Sequence, residues 1–169
     1  MEVLGSSIDL CSFTRESWHA FWKVYIADPK MDPNTYVYNK EKVDESFDRS
    51  LERDSWYPSY GVFLKNGNPI GLTNLKRIDY EKSRCELGII LVNDSVKGKG
   101  YGTEAVSLLV NYAFNGLGLK TIYADTMETN YRMQHVLGKM GFQLLERIER
   151  YYDMHDRWED KLNYILVRG

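Results

Sequence analysis

The run Leu87-Gly88-Ile89-Ile90-Leu91-Val92 leaves this chain the least freedom. Six uncharged residues in succession, five of them Leu, Ile or Val, have no polar face to offer water, so the segment reads as a strand central in a sheet. After Asn93 to Val96 comes Lys97-Gly98-Lys99-Gly100-Tyr101-Gly102-Thr103, with glycine at alternate positions. An apolar-periodic stretch from Thr103 to Phe114 follows, which Gly116 can end. Buried strand, glycine loop and helix in that order require a sheet covered by helices on at least one face.

The flanking segments fill in that sheet. Ile8 to Cys11 reads as a short strand, and Thr14 can cap a helix whose Trp18, Phe21, Trp22 and Tyr25 share one face. Asp28-Pro29 and Asp32-Pro33 stop it, and a charged amphipathic helix is predicted over Lys40 to Asp54. Ser59 to Leu64 and Pro69 to Tyr80 form a hairpin across Asn66-Gly67-Asn68, with Arg84 to Val92 as the third strand. Then come a strand at Thr121 to Thr126, a helix at Tyr131 to Lys139 ended by Gly141, a strand beginning at Phe142 to Leu145, and a last strand at Lys161 to Val167. The order specifies an α+β fold with a mixed sheet. No repeat or linker divides the chain, so residues 1–169 read as one domain.

Composition removes several function classes. Of 169 residues, 43% are hydrophobic and 14% aromatic, ample for a core and inconsistent with disorder. Lys and Arg number 22 against 24 Asp and Glu, without the basic excess of a general nucleic-acid binder. No segment approaches the roughly 18 apolar residues of a membrane span, and Met1 to Leu10 does not read as a signal peptide. Cys11 and Cys85 are far apart and read as free thiols in a reducing compartment, so the expectation is a cytoplasmic protein.

The glycine loop carries the chemistry. Alternating glycines can turn successive N–H groups outward, and the helix behind them adds its positive dipole end, which suits a phosphate or pyrophosphate. Lys97 and Lys99 add charge; the bland alternative is a surface turn with two solvated lysines. A Walker A loop fails because Gly102-Thr103 lacks the lysine. A dinucleotide fingerprint fails because Thr103 stands where the third glycine belongs, although Asp125 lies about twenty residues on.

A third pattern fits. Lys97-x-x-Gly100-x-Gly102 resembles the acyl-CoA pyrophosphate loop of the GNAT superfamily of N-acetyltransferases, whose pattern is Gln/Arg-x-x-Gly-x-Gly/Ala, with lysine at the first position here. Asn130 followed by Val136-Leu137-Gly138-Lys139-Met140-Gly141-Phe142 is similar to that family's Asn and its helix ending Lys-Leu-Gly-Phe. The resemblance is closest over Val62 to Phe142. Glu86 in Arg84-Cys85-Glu86-Leu87-Gly88, and the tail from Trp158 to Leu166, look like the RimJ/RimL-type branch.

The resemblance implies a GNAT fold, with a mostly antiparallel sheet flanked by helices and a parted strand pair at an acyl-CoA cleft. It implies an N-acetyltransferase that uses acetyl-CoA as co-substrate and no metal. Main-chain groups of Ile89 to Val92, with Ile90, Leu91 and Val92 as the named contacts, would bond the pantetheine arm, Lys97, Gly98, Lys99, Gly100, Tyr101, Gly102 and Thr103 would hold the pyrophosphate, and Asn130 would bond the pantetheine side. An amine of pKa about 8 to 10 must lose a proton before it attacks the thioester. Glu86, a lone acid in an apolar strand, is the candidate general base; its alternative is an ion pair with Arg84 or Lys76 across the sheet. The family's tyrosine acid is replaced by Leu137, and the branch's serine by Met133.

Other residues compete less well. His19, His135 and His155 have no metal-ligand spacing, and there is no Gly-x-Ser-x-Gly elbow. The Trp18/Phe21/Trp22/Tyr25 stripe reads as core whose edge could line an acceptor cleft. Asp153, His155, Asp156, Glu159 and Asp160 read first as a solvated loop, and near the cleft they could favour a cationic amine such as a polyamine or aminoglycoside. The expected partners are acetyl-CoA and an amine acceptor, a protein N-terminus or a small molecule, with no nucleic acid or membrane and a homodimer admitted. A non-catalytic acyl-CoA sensor is the rival from another class, and a nucleotide-binding oxidoreductase the weaker third.

Overall fold

A computed structural model describes residues 2–53 and 58–169. The strands are β1 (Glu2–Leu4), β2 (Ile8–Cys11), β3 (Ser59–Leu64), β4 (Pro69–Asp79), β5 (Arg84–Leu91), β6 (Thr121–Met127), β7 (Gln143–Asp153) and β8 (Trp158–Val167). The helices are α1 (Arg15–Val24), α2 (Lys40–Arg53), α3 (Tyr101–Asn111) and α4 (Tyr131–Lys139). Asp54, the predicted last residue of the second helix, lies outside the described residues. One sheet holds all eight strands in the order β1-β2-β3-β4-β5-β6-β8-β7. Every neighbouring pair is antiparallel except β5 and β6.

Side-chain alternation divides the two faces. Thr73, Leu75, Cys85, Leu87, Ile122 and Ala124 are buried and point to one face, where α3 and α4 lay down Ala105, Val106, Leu109 and Leu137. Leu72 points the other way, into a second cluster with Trp18, Val43 and Phe47 of α1 and α2. Helix α1 starts on a reciprocal cap: Thr14 Oγ1 accepts the Ser17 N–H at 3.1 Å, and Ser17 Oγ accepts the Thr14 N–H at 2.9 Å. His19 is packed between Tyr38 OH and Asp44 Oδ1, each at 2.7 Å, as an internal strut between these helices.

The Leu137-to-Phe142 block has a structural cause. Gly141 takes φ +87°, the left-handed conformation that ends a helix. The Phe142 N–H then donates back to the Leu137 carbonyl at 3.0 Å, and both side chains are buried. Leu137, in place of the family's tyrosine, is therefore a core residue. Leu137→Ala should lower stability by about 2–5 kcal/mol, read as a lower urea midpoint at unchanged slope.

Two of the differences from expectation concern the outer strands. β1 was not predicted; three residues with one polar neighbour give no period to read, and it exists because β2 templates it. The last strand starts at Trp158 rather than Lys161, because its partner β7 continues to Asp153 and pairs there with Trp158.

Candidate active site

The parallel ladder between β5 and β6 runs from Arg84↔Thr121 to Leu87↔Ala124 and stops. Beyond Leu87 the two strands part, although both continue, β5 to Leu91 and β6 to Met127. Which main-chain groups face the gap follows from the β4 pairing. Val92 N–H donates to the Ile70 carbonyl at 2.8 Å, so in an antiparallel ladder the alternate residues Ile90 and Gly88 also turn toward β4. Ile89 and Leu91 therefore present their N–H and C=O groups to the gap. Val92 has nothing left to offer: it is buried, and its carbonyl accepts the Ile26 N–H at 2.9 Å.

The glycine loop lies at the end of this gap. Gly98 and Gly100 have φ of +74° and +84°, and nothing approaches the position a Cβ would take at either. Helix α3 begins at Tyr101, two residues earlier than expected, with Gly100 as N-cap and no side-chain cap. Its first internal bond is Glu104 N–H to Gly100 carbonyl, 3.0 Å, so the N–H groups of Tyr101, Gly102 and Thr103 point out of the helix end. An anion placed there meets several donors and the helix dipole together. Glu104 fixes the helix from the side by accepting the Ser7 N–H at 2.9 Å.

Around gap and loop lies a cleft of about 620 Å³. Ile89, Ile90 and Leu91 form one wall, Asp125, Thr126 and Met127 the opposite one, and Gly98, Gly100, Gly102 and Thr103 an end. Helix α4 adds Arg132, Met133, His135 and Lys139, and the segment after α1 adds Tyr25, Asp28, Met31 and Asp32. Asn130 lines it as N-cap of α4: its Oδ1 accepts the Met133 N–H at 3.1 Å, which leaves the amide NH₂ as the ligand-facing donor.

The ionisable groups are already arranged. Lys97, 15% exposed, places Nζ 3.3 Å from Asp28 Oδ2 and 3.0 Å from Asp94 Oδ1. Burial pulls the Asp28 carboxyl up, but the Lys30 N–H and the Lys97 ammonium outweigh it and hold it below its usual range. Tyr152 OH donates to Asp125 Oδ2 at 2.9 Å, and Lys161 Nζ lies 3.8 Å from the same oxygen. Burial first, then the Asp125 charge, raise the Tyr152 phenol far above its ordinary value. It keeps its proton at neutral pH.

Several expected site residues stand elsewhere. Lys99 is exposed, and Tyr101 packs on the core; neither side chain lines the cleft. Of the expected segment Ile89 to Val92, strand alternation leaves Ile89 and Leu91 with main-chain groups toward the gap, while the main chain of Ile90 is committed to β4 and that of Val92 is bonded on both sides. Glu86 bonds Arg77 Nη1 at 2.7 Å, rather than Arg84 or Lys76, and is not among the lining residues. Arg77 takes φ +49° at an irregularity in the β4–β5 ladder, which no spacing rule could foresee. Asp125, Tyr152, Asp28 and Arg132 were missed as site residues because they come together only when β6, β7, α4 and the Asp-Pro segment are folded around one gap.

The sequence profile of the acetyltransferase (GNAT) domain matches residues 9–143. The probable N-acetyltransferase YjcK of Bacillus subtilis is 30% identical over 125 residues, covering 73% of this chain and 68% of that protein. Spermidine N(1)-acetyltransferase of Escherichia coli is 32% identical over 79 residues, covering 47% of this chain and 42% of that one. The crystal structure of a GNAT-family acetyltransferase from Bacillus anthracis superposes with a TM-score of 0.81 at 19% identity, over 99% of this chain and 98% of that one. A sheet parted beside a glycine nest is the acetyltransferase architecture, and the chain belongs to the GNAT acetyltransferase family.

The two loop glycines should respond differently to a methyl group. Gly100→Ala forces a left-handed φ on a β-carbon and should cost about 1–2 kcal/mol of stability. Gly102 lies in the helix, where a Cβ meets only Leu91 Cδ1 at 3.8 Å, so Gly102→Ala should be neutral or stabilising by up to about 1 kcal/mol. Thermal unfolding of the two variants separates them.

Proposed function

We propose that the protein transfers the acetyl group of acetyl-CoA to a primary amine whose remainder is cationic, a polyamine being the type of acceptor. The parted strand and the glycine nest supply main-chain donors and acceptors at the right end for the cofactor's diphosphate and arm. The observation that carries the acceptor class is the charge of the other walls. Asp32 and Asp125 line the cleft, and Tyr25 adds an aromatic face beside Asp32. An ammonium-bearing acceptor is favoured by carboxylates and by an aromatic ring. The motifs at Glu86 and Trp158 to Leu166 point to the RimJ/RimL-type branch within the family.

Acetyl-CoA, when bound, supplies the thioester and a thiol leaving group. The acceptor must reach it as a neutral amine, and Asp125 is the carboxylate in the cleft that can take its proton. The amine nitrogen bonds the carbonyl carbon, the carbon–sulfur bond breaks, and the sulfur leaves as thiolate. Tyr152, held protonated, can donate a hydrogen bond to developing negative charge. A thiol pKa near 8.5 also permits release to water. The sensor reading rested on the apolar residues Leu137 and Met133; the Tyr152–Asp125 pair supplies ionisable groups it assumed lacking. Glu86 is tied to Arg77 and does not line the cleft.

Thiol release from acetyl-CoA with spermidine, a short peptide and a singly charged alkylamine tests this. Release is expected with spermidine above the other two, and absence of release from all three contradicts the enzyme reading. Asp125→Asn should lower kcat by about 10²-fold and Glu86→Gln by less than about threefold. The reverse ranking returns the general base to Glu86.

A further inference from the structure

The Lys97–Asp28 ion pair joins the two halves of the cleft. Asp28 belongs to the segment that also carries Tyr25, Met31 and Asp32, and Lys97 is the first residue of the glycine loop. Two further bonds fasten the same pieces together: Ile26 N–H to the Val92 carbonyl at 2.9 Å, and Asn93 Nδ2 to the Val24 carbonyl at 3.1 Å. One is a main-chain bond and the other joins the Asn93 side-chain amide to a main-chain carbonyl, and neither involves a charged group that an anion could draw away. The ion pair is different, because both of its members line the cleft.

Lys97 has the wrong partners for a lysine that serves only a phosphate. Its Nζ contacts Asp28 Oδ2 and the exposed Asp94 Oδ1. Arg132 Nη1 stands 3.8 Å from that same Asp94 oxygen, so Asp94 is not left unpaired if the lysine moves. Asp28 has a weaker reserve, the charge of the exposed Lys30. Its Oδ1 is spent on the Lys30 N–H at 3.0 Å, and Lys97 is the cation that satisfies Oδ2.

Resting on the acetyl-CoA reading above, we propose that Lys97 is a shared cation that couples the two substrates. In the free protein it masks Asp28. A diphosphate on the glycine loop draws its charge away, and Asp28 becomes the carboxylate that receives the cationic acceptor. The sign of the coupling is positive, since an added anion and an uncovered carboxylate both favour a cation in the same cleft. By linkage, the amine tightens coenzyme A by the same factor. Each substrate therefore tightens the other through the same lysine.

Calorimetric titrations with coenzyme A, which cannot acetylate, and with spermidine test both halves. Asp28→Asn retains the oxygen that accepts the Lys30 N–H, so the turn survives, and it frees Lys97; coenzyme A should bind about fivefold or more tighter. Lys97→Met retains the apolar stem and should weaken coenzyme A. In the Lys97→Met background, Asp28→Asn should lose most of its gain. Asp32→Asn removes the same charge from the same wall without touching Lys97, and its effect should be small and unchanged by Lys97→Met. A gain from Asp28→Asn that persists in the Lys97→Met background, or one matched by Asp32→Asn, overturns the competition.

Spermidine should bind wild-type protein about fivefold or more tighter when coenzyme A is saturating, and Lys97→Met should abolish that dependence. Spermidine affinity that coenzyme A leaves unchanged, no binding in either state included, overturns the hand-over. Failure of coenzyme A to bind wild-type protein appears in the first titration, and it is the acetyl-CoA reading that then falls.

Discussion

The separation of β5 from β6 is the constraint on which the rest depends. Two neighbouring strands that stop pairing forfeit hydrogen bonds, and an unpaired main-chain group inside a protein costs about 1–3 kcal/mol. The gap persists because the strand ends are pinned from outside it. Val92 is held by Ile70 on one side and by Ile26 on the other, so β5 cannot swing back toward β6. On the far side, Glu128 N–H donates to the Asp160 carbonyl at 3.0 Å and keeps the end of β6 on β8. The groups left over at Ile89 and Leu91 form a ready-made edge, and an extended polar arm can satisfy them as a strand would.

The glycine loop extends the same logic. After β5 and a short 3-10 turn at Asp94–Val96, the chain passes through two left-handed glycines, Gly98 and Gly100, into a helix with no side-chain cap. Unsatisfied donors at the strand and unsatisfied donors at the helix end thus follow one another along one cleft. Charges of both signs line it, Lys97, Arg132 and Lys139 with Asp28, Asp32 and Asp125, and Lys97 and Asp28 are paired to each other. Such a site attracts an anionic cofactor and a cationic acceptor at once.

Most of the fold could be read from local patterns. The Leu87-to-Val92 run, the Asn66-Gly67-Asn68 turn and the aromatic stripe of α1 each carry their own period or turn chemistry, and each became the element expected. The turn of the glycine loop into a helix was equally legible, because glycines at alternate positions have few uses. What stayed hidden depends on pairing. Whether Ile89 or Ile90 faces the gap is settled by the hydrogen-bond phase of β4 against β5, which no single strand encodes. Glu86 looked isolated because its partner, Arg77, sits at a ladder irregularity with a left-handed φ. Asp125 and Tyr152 are 27 positions apart and meet only because β7 folds back alongside β8.

The central claim is that main-chain groups of a parted strand and a glycine nest form the acyl-CoA site. Residue-resolved amide exchange with and without coenzyme A addresses it most directly. The account predicts slowed exchange at Ile89, Leu91 and Gly98 through Thr103, with Ile90 and Val92 unchanged because their N–H groups are already bonded. Protection confined to another surface, or none along β5 and the loop while coenzyme A binds, would contradict it.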